Sequence, residues 1–285
     1  MARIALLTCR ELPEPDPDEE ITVAALREAG HEAELLAWNA PDRAPDAYDL
    51  CILRSTWDYI WHVDAFIRYL AEVDRASVLC NPLDVVRWNL HKGYLATLAA
   101  AGVAVTPTWH VGRGSQPARQ QLTERGWGGV VIKPAISAGS FGTRRFEAGS
   151  ESEAHDYLME LSAQADVLVQ PYIQTVEEGG ERALVCIDGE ITHGIVKAPR
   201  FSGEDEHVSV AYAPSPAEEA FARQALAALP GSLGEHLLYA RVDVFDDGEG
   251  GLLLSELELI EPSLFFLQQP SALAAFVAAT QRRLT

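Results

Sequence analysis

Apolar residues open the chain in short unbroken runs. Residues 4–8 form one such run, and 31–38, 50–54 and 77–80 share its β-rich character. Between them, 21–29 and 64–72 space their apolar residues for helices, the first stopped by Gly30. Strands alternating with helices predict a small, largely parallel α/β layer over residues 1–83. The acidic, proline-rich stretch 11–20 reads as a solvated loop whose last acids favour the N-terminus of the next helix.

The pattern then changes. Residues 89–101 read as a helix ending at Gly102, 108–111 as a strand and 117–125 as a helix. A strand at 130–133 runs into a small-residue loop, 134–143, and 144–146 can return as a strand. Ser152 caps a helix through 163, followed by a strand at 166–170. Residues 84–172 therefore read as a linker helix and a compact α+β lid with a glycine loop at its tip. In the last third, β-rich runs at 182–187 and 190–197 flank Asp188-Gly189, a strong hairpin signal. A polar loop at 200–206, a strand at 208–213 and a helix at 216–229 follow. Strands at 239–245 and 252–260, joined by a glycine-rich turn, and a helix at 271–284 complete a C-terminal core over 173–285. The expected class is mixed, α/β followed by α+β.

Composition narrows the partners. The chain has 285 residues, 48% hydrophobic and 22% charged, which excludes wholesale disorder. Its net charge of −20 repels phosphate backbones and anionic lipid, so neither nucleic acid nor a membrane surface is expected as a partner. The longest nearly apolar stretch, 94–105, is shorter than the roughly 20 residues of a membrane span. No apolar leader precedes the first strand, and Cys9, Cys51, Cys80 and Cys186 form no C-x-x-C pair. Reduced thiols in a cytoplasmic protein are the expectation. Of 22 basic residues only Lys92, Lys133 and Lys197 are lysine, and any anionic ligand must rely on a few such local cations.

Two patterns carry chemistry. Strand alternation puts Glu256 and Glu258 on one face, and Asp243 can join them across the hairpin. Converging carboxylates are costly unless a cation neutralises them, and hard oxygen ligands suit Mg²⁺ or Mn²⁺. The other reading is a solvated edge face. The loop Ser137-Ala-Gly139-Ser140-Phe-Gly142-Thr143 follows Lys133-Pro134; its small residues let backbone N–H groups approach phosphate oxygens, although it lacks a P-loop ending. Alone, it is as consistent with a plain turn.

In order along the chain, several motifs together resemble the ATP-grasp superfamily. They are Asn89-Leu-His-Lys92, Val-Ile-Lys133-Pro134, the 137–143 loop, Gln170-Pro-Tyr172-Ile173, Gly-Glu181-Arg182, Lys197-Ala-Pro-Arg200, Arg241-Val-Asp243, Glu256-Leu-Glu258 and Glu261-Pro-Ser263. The resemblance implies an ATP-grasp fold with an N-terminal α/β layer, a mobile lid and a C-terminal core. It implies that Lys92 and Lys133 bind the α/β-phosphates under the loop of Ser137, Gly139, Ser140 and Gly142. It implies that Gln170, Tyr172 and Ile173 reach adenine and that Glu178 takes the ribose. Asp243, Glu256 and Glu258 would hold a pair of Mg²⁺ ions, with Mn²⁺ as a substitute; the family usually has Asn where Glu258 stands. Arg182, Lys197 and Arg200 would hold the γ-phosphate and the substrate carboxylate.

Within the superfamily, Arg54-Ser-Thr56-Trp57-Asp58-Tyr59, Asn81-Pro-Leu-Asp84 and Arg87-Trp-Asn89 resemble a small microbial group that includes O-ureido-D-serine cyclo-ligases. That likeness implies a small amino-acid substrate touched by Arg54, Thr56, Asp58, Glu261 and Ser263. The expected reaction is carboxylate activation by ATP and ring closure to D-cycloserine, in a protein that can form homo-oligomers. An intermolecular amino-acid ligase and a non-catalytic nucleotide-binding protein are the alternatives. Arg54–Asp58 as a structural ion pair is the competing reading of the first motif.

Overall fold

The computed structural model describes residues 1–40, 45–201 and 207–284. The first sheet is parallel, β1 (Arg3–Thr8), β2 (Glu32–Ala37), β3 (Leu50–Leu53) and β4 (Val78–Cys80), in the order β2-β1-β3-β4. Its central strand β1 is covered on both faces, which is why its sequence is apolar without alternation. Ile4 and Leu6 pack with Val23 and Leu26 of α1 (Glu19–Glu28), and Ala5 and Leu7 with Phe66, Leu70 and Val73 of α2 (Val63–Ala76).

Two short helices, α3 (Leu83–Asn89) and α4 (Tyr94–Ala100), lead to the second sheet. It comprises β5 (Trp109–Val111), β6 (Val130–Pro134), β7 (Arg144–Phe146) and β8 (Val167–Pro171), antiparallel in the order β5-β8-β6-β7. Between β5 and β6 lies α5 (Gln120–Thr123), and α6 (Glu151–Ser162) packs Ala154, Tyr157 and Leu158 on Ile132 and Val169.

After the one-turn α7 (Val176–Gly179), the third sheet is β9 (Glu181–Ile187), β10 (Glu190–Lys197), β11 (Tyr239–Asp246) and β12 (Leu252–Glu258), antiparallel in the order β10-β9-β11-β12. One face takes Ala222 and Ala225 of α8 (Pro216–Ala227) and the other Phe276 of α9 (Pro270–Arg282). A capping box starts α8: Ser215 Oγ accepts from the Glu218 amide, and the Glu218 carboxylate accepts from the Ser215 amide. The first and third sheets share one apolar cluster, in which Ile4, Leu6, Leu50 and Ile52 meet Val185, Leu238, Tyr239 and Phe266.

The structure departs from the periodic reading in three places. Of the helix expected over 89–101 only Tyr94–Ala100 forms as α4, while an earlier helix, α3, ends at Asn89; in the break at residues 90–93 the Lys92 amide bonds to the Ala135 carbonyl at 2.8 Å. That bond forfeits a helical turn and ties Lys92 to the end of β6. The strand expected over 208–213 is reduced to isolated bridges at Val208 and Tyr212, and Val210 between them is exposed. Only Gln120–Thr123 of the expected 117–125 helix is helical. Of the polar loop at 200–206, positions 202–206 lie outside the described residues. Among the described residues no helix is long and apolar enough to cross a membrane.

Candidate active site

A cleft of about 350 Å³ runs between the second and third sheets. Its floor comes from β11 and β12, whose register sets Asp243 opposite Glu256 and Arg241 opposite Glu258. Lys133 at the end of β6, Lys92 at the helix break and the 137–143 loop line the opposing side. Pro13, Glu14 and the turn Trp57–Trp61 close one end.

Charges alternate through this cleft. Lys133 Nζ is 2.6 Å from Glu256 Oε1, and Lys92 Nζ is 3.5 Å from Oε2 of the same carboxylate. Lys92 also donates to the Ser137 carbonyl at 2.8 Å. Lys197 Nζ lies 2.5 Å from Asp243 and 2.8 Å from Glu181. Arg241 grips both oxygens of Asp243 at 2.9 Å, and its Nη2 reaches Glu258 at 2.5 Å.

Burial alone would raise every one of these acids, and the local cations decide the outcome. Lys133 and Lys92 outweigh burial at Glu256 and hold its carboxyl far below the usual range. Arg241 and Lys197 do the same for Asp243. Burial wins at Glu258, pushed up to about 7 against the pull of Arg241, and at Glu261, pushed up to about 8 with Glu258 repelling it. Burial and Arg241 act to lower the Lys197 ammonium, but Asp243 and Glu181 outweigh them and hold it above its ordinary value.

Among the described residues no group of three His, Cys, Asp or Glu side chains is preassembled for a metal. Each carboxylate of the expected trio is instead engaged by a cation of the protein. The donor set still fits a magnesium–triphosphate pair. The oxygens are hard, Glu258 and Glu261 are short of compensating positive charge, and the lysines on Glu256 are free to exchange that partner for phosphate.

Ser137, Gly139, Ser140, Gln170, Tyr172, Ile173, Lys197, Arg200, Glu261 and Ser263 all line the cleft with the lysines and the three carboxylates. Arg200 makes a two-pronged contact with Glu14 at 2.6 and 3.2 Å, spanning from the β10 side to the N-terminal loop. Phe141 meets Trp61 edge-to-face at 5.5 Å.

Six expected site residues lie elsewhere. Gly142 shapes the loop from behind: its φ is +67°, and a Cβ there would fall 2.9 Å from Pro134 Cγ. Strand alternation along β9 sends Arg182 to the opposite face, towards Glu218 at 3.6 Å and Asp246 at 3.8 Å, and turns Glu181 into the cleft. Glu178, on the one-turn α7, is outside the lining; its neighbour Glu177 accepts from the Tyr172 hydroxyl at 2.7 Å, and the carboxylate of this region that lines the cleft is Glu181. Arg54 is 1% exposed; it donates to the Pro262 carbonyl at 3.0 Å and sits 3.9 Å from Asp16. Thr56 is fully buried. Asp58 accepts from Trp38 Nε1 at 2.5 Å and from Asn39 Nδ2, in a separate groove beyond the ends of the first sheet's strands. Among the expected substrate residues, Arg54, Thr56 and Asp58 do not line the cleft.

Sequence reasoning passed over Arg241, Glu181, Glu14 and Tyr59 as site residues, and all four line the cleft. Arg241 was two positions from Asp243, hence on the same strand face, and Glu181 pairs with Lys197 across the β9–β10 hairpin. Both signals were periodic. Glu14 and Tyr59 sit in loops, where no period exists to read.

Residues 4–81 match the family described as D-cycloserine synthetase DcsG, N-terminal domain. The chain is 30% identical over 302 residues to the cycloserine biosynthesis protein DcsG of Streptomyces lavendulae, covering 100% of this chain and 99% of that protein. The crystal structure of D-cycloserine synthetase DcsG matches with a TM-score of 0.91 at 30% identity, over 99% of this chain and 100% of that one. A D-alanine–D-alanine ligase from Bacillus anthracis complexed with ATP matches with a TM-score of 0.69 at 15% identity, over 100% and 98% of the chains. The ATP-grasp ligase PsnB complexed with a minimal precursor matches with a TM-score of 0.67 at 17% identity, over 98% and 99%. These last two share the fold.

Proposed function

The chain belongs to the DcsG family of ATP-grasp ligases, and from that premise we propose that it closes O-ureido-D-serine to D-cycloserine at the expense of ATP. At the coarser level it is an ATP-dependent ligase that forms a carbon–nitrogen bond. The observation that carries the finer reading is the cleft itself: two lysines on Glu256, Lys197 and Arg241 on Asp243, and Glu261 and Ser263 beyond them.

Lys92 and Lys133 hold the α/β-phosphates, and backbone N–H groups of the 137–143 loop cover them. Gln170, Tyr172 and Ile173 border the adenine, and Glu181 the ribose. Asp243, Glu256 and Glu258 would hold Mg²⁺, which, when bound, neutralises charge on the phosphoryl oxygens. Lys197 and Arg241 face the transferring phosphoryl group and the carboxylate that receives it. Glu261, steadied by the Tyr59 hydroxyl, accepts the substrate ammonium.

A substrate carboxylate oxygen attacks the γ-phosphorus and ADP departs, leaving an acyl phosphate. The aminooxy nitrogen of the same molecule, about 3–3.5 Å from that carbonyl, then attacks it, and phosphate leaves. The carbamoyl group absent from the ring is lost with water as carbon dioxide and ammonia. Arg200 and Glu14, joined across the mouth, keep bulk water off the activated carbonyl.

The test is Mg²⁺-dependent phosphate release from ATP with O-ureido-D-serine, with mass spectrometry of the product. D-Cycloserine without any added amine is expected. ATP consumption only when a second amino acid is present, with a linear amide as product, would replace this reading by an intermolecular ligase.

A further inference from the structure

Beyond Glu258 the chain leaves β12 and enters the interior. Leu259, Ile260, Leu264 and Phe266 are buried, yet this segment has no strand neighbour to bond its backbone. Buried carbonyls need partners, and here side chains supply them nearly one per residue. Asn89 Nδ2 donates to the Leu257 carbonyl at 2.8 Å, while Asn89 Oδ1 accepts from the Leu259 amide at 2.9 Å. Asn81 donates to the Leu259 carbonyl at 2.8 Å, and the Tyr239 hydroxyl is 2.7 Å from that of Ile260. Trp57 Nε1 donates to the Glu261 carbonyl at 3.0 Å, and Arg54 Nη1 to that of Pro262 at 3.0 Å. Arg241 reaches the Ser263 carbonyl at 3.3 Å.

We propose that Arg54, Trp57, Asn81 and Asn89 are positioning residues. Together they form a side-chain ladder that sets the 257–263 backbone, and through it the placement of Glu261 and Ser263 in the cleft. All four lie in the N-terminal motifs, and two of them, Arg54 and Asn81, are at most 1% exposed and stand outside the cleft lining, whereas Trp57 and Asn89 border it.

Arg54 is the clearest case. Its guanidinium is held over the rings of Tyr239, at 5.8 Å, and Phe266, at 5.9 Å, with Asp16 at 3.9 Å. A buried cation is a costly way to satisfy one carbonyl, but its planar fork fixes direction where a smaller donor would not. The ladder is also graded. Asn89 grips the backbone flanking Glu258, whereas Trp57 and Arg54 grip the Glu261–Pro262 end. Loosening the latter should therefore move the amino-acid end of the cleft and spare the nucleotide end. This inference rests on the reading of Glu261 and Ser263 as substrate contacts.

Trp57→Phe removes the N–H donor and keeps an aromatic ring, though a smaller one than the indole. Arg54→Met keeps the apolar stem, and Arg54→Lys restores a charge and a donor. Three quantities are measured: KM for O-ureido-D-serine, affinity for ADP with Mg²⁺, and hydrogen exchange of the 257–263 amides. Trp57→Phe is expected to raise the substrate KM roughly ten-fold, since a small displacement at a reacting centre is expensive. ADP affinity should stay within about twofold, and faster exchange should be confined to 257–263. Arg54→Lys should recover part of the loss in Arg54→Met; if Arg54→Met does not fold, Trp57→Phe decides. Parallel losses of substrate and ADP affinity, or unchanged exchange in folded Trp57→Phe, overturn the proposal. If the wild-type protein does not turn over O-ureido-D-serine, the functional reading fails separately, and the exchange measurement alone judges the ladder.

Discussion

Glu256 lies between two lysines, and on the proposed reading each exchanges it for a phosphate oxygen. Removing one lysine exposes this. Lys133→Ala should weaken ATP binding by about 1–3 kcal/mol, the range of a charge-assisted contact, as titration calorimetry with Mg²⁺-ATP would register. Unchanged affinity would remove Lys133 from phosphate binding. His193 is a different kind of buried group. It is fully enclosed, and burial drives its imidazole down to about 4 despite the Leu264 backbone nearby. Its folded pKa is thus below the unfolded value near 6.5, so it contributes full stability above that value and loses it as pH falls towards 4. The slope it adds is at most about 1.4 kcal/mol per pH unit. His193→Gln should flatten urea-unfolding stability over pH 6.5–4; an unaltered acid limb would show that His193 is not its source.

At the scale of elements, the 137–143 loop is held in shape by backbone conformation more than by packing. Gly139 and Gly142 have φ of +55° and +67°, and Ser140 has +58°. Only Gly142 faces a rigid neighbour, the Pro134 ring, so a side chain there meets both torsional strain and a clash. Gly142→Ala is expected to lower nucleotide affinity several-fold while the melting temperature changes little, because the loop contributes few apolar contacts to the core. A large drop in melting temperature with intact affinity would contradict that. The helix break at 90–93 works similarly: α3 and α4 stop short so that the Lys92 amide can reach β6, and a helical turn is given up to bring a cation into the cleft.

Across the whole molecule, the N-terminal sheet covers the third sheet, and loops of the same layer close one end of the site. Ile4, Leu6, Leu50 and Ile52 belong to the same cluster as Val185, Tyr239 and Phe276, so the two layers stabilise each other. A fragment starting at residue 84 would expose that face. It should lack a cooperative thermal transition, which calorimetry can check; a sharp transition at near-native temperature would mean the third sheet covers itself in some other way.

Sequence alone determined much of this protein through period and spacing. Alternation along β12 put Glu256 and Glu258 on one face, unbroken apolar runs marked the buried parallel strands, and the rarity of lysine pointed to three cations that all line the cleft. These signals are local, so a single chain carries them without knowing its neighbours. Tertiary structure alone decided where loop and strand-end residues face. Arg54 and Asp58 sit four residues apart in one motif, yet one is bonded to the Pro262 carbonyl and the other lies in a separate groove, because the irregular turn after β3 imposes no common face on them. Glu14 met Arg200 from a distant loop, and Arg182 turned away while Glu181 turned in, according to which face of β9 became the floor. Which side of a strand meets the cleft depends on what packs against the other side, and that choice is made only when the sheets assemble.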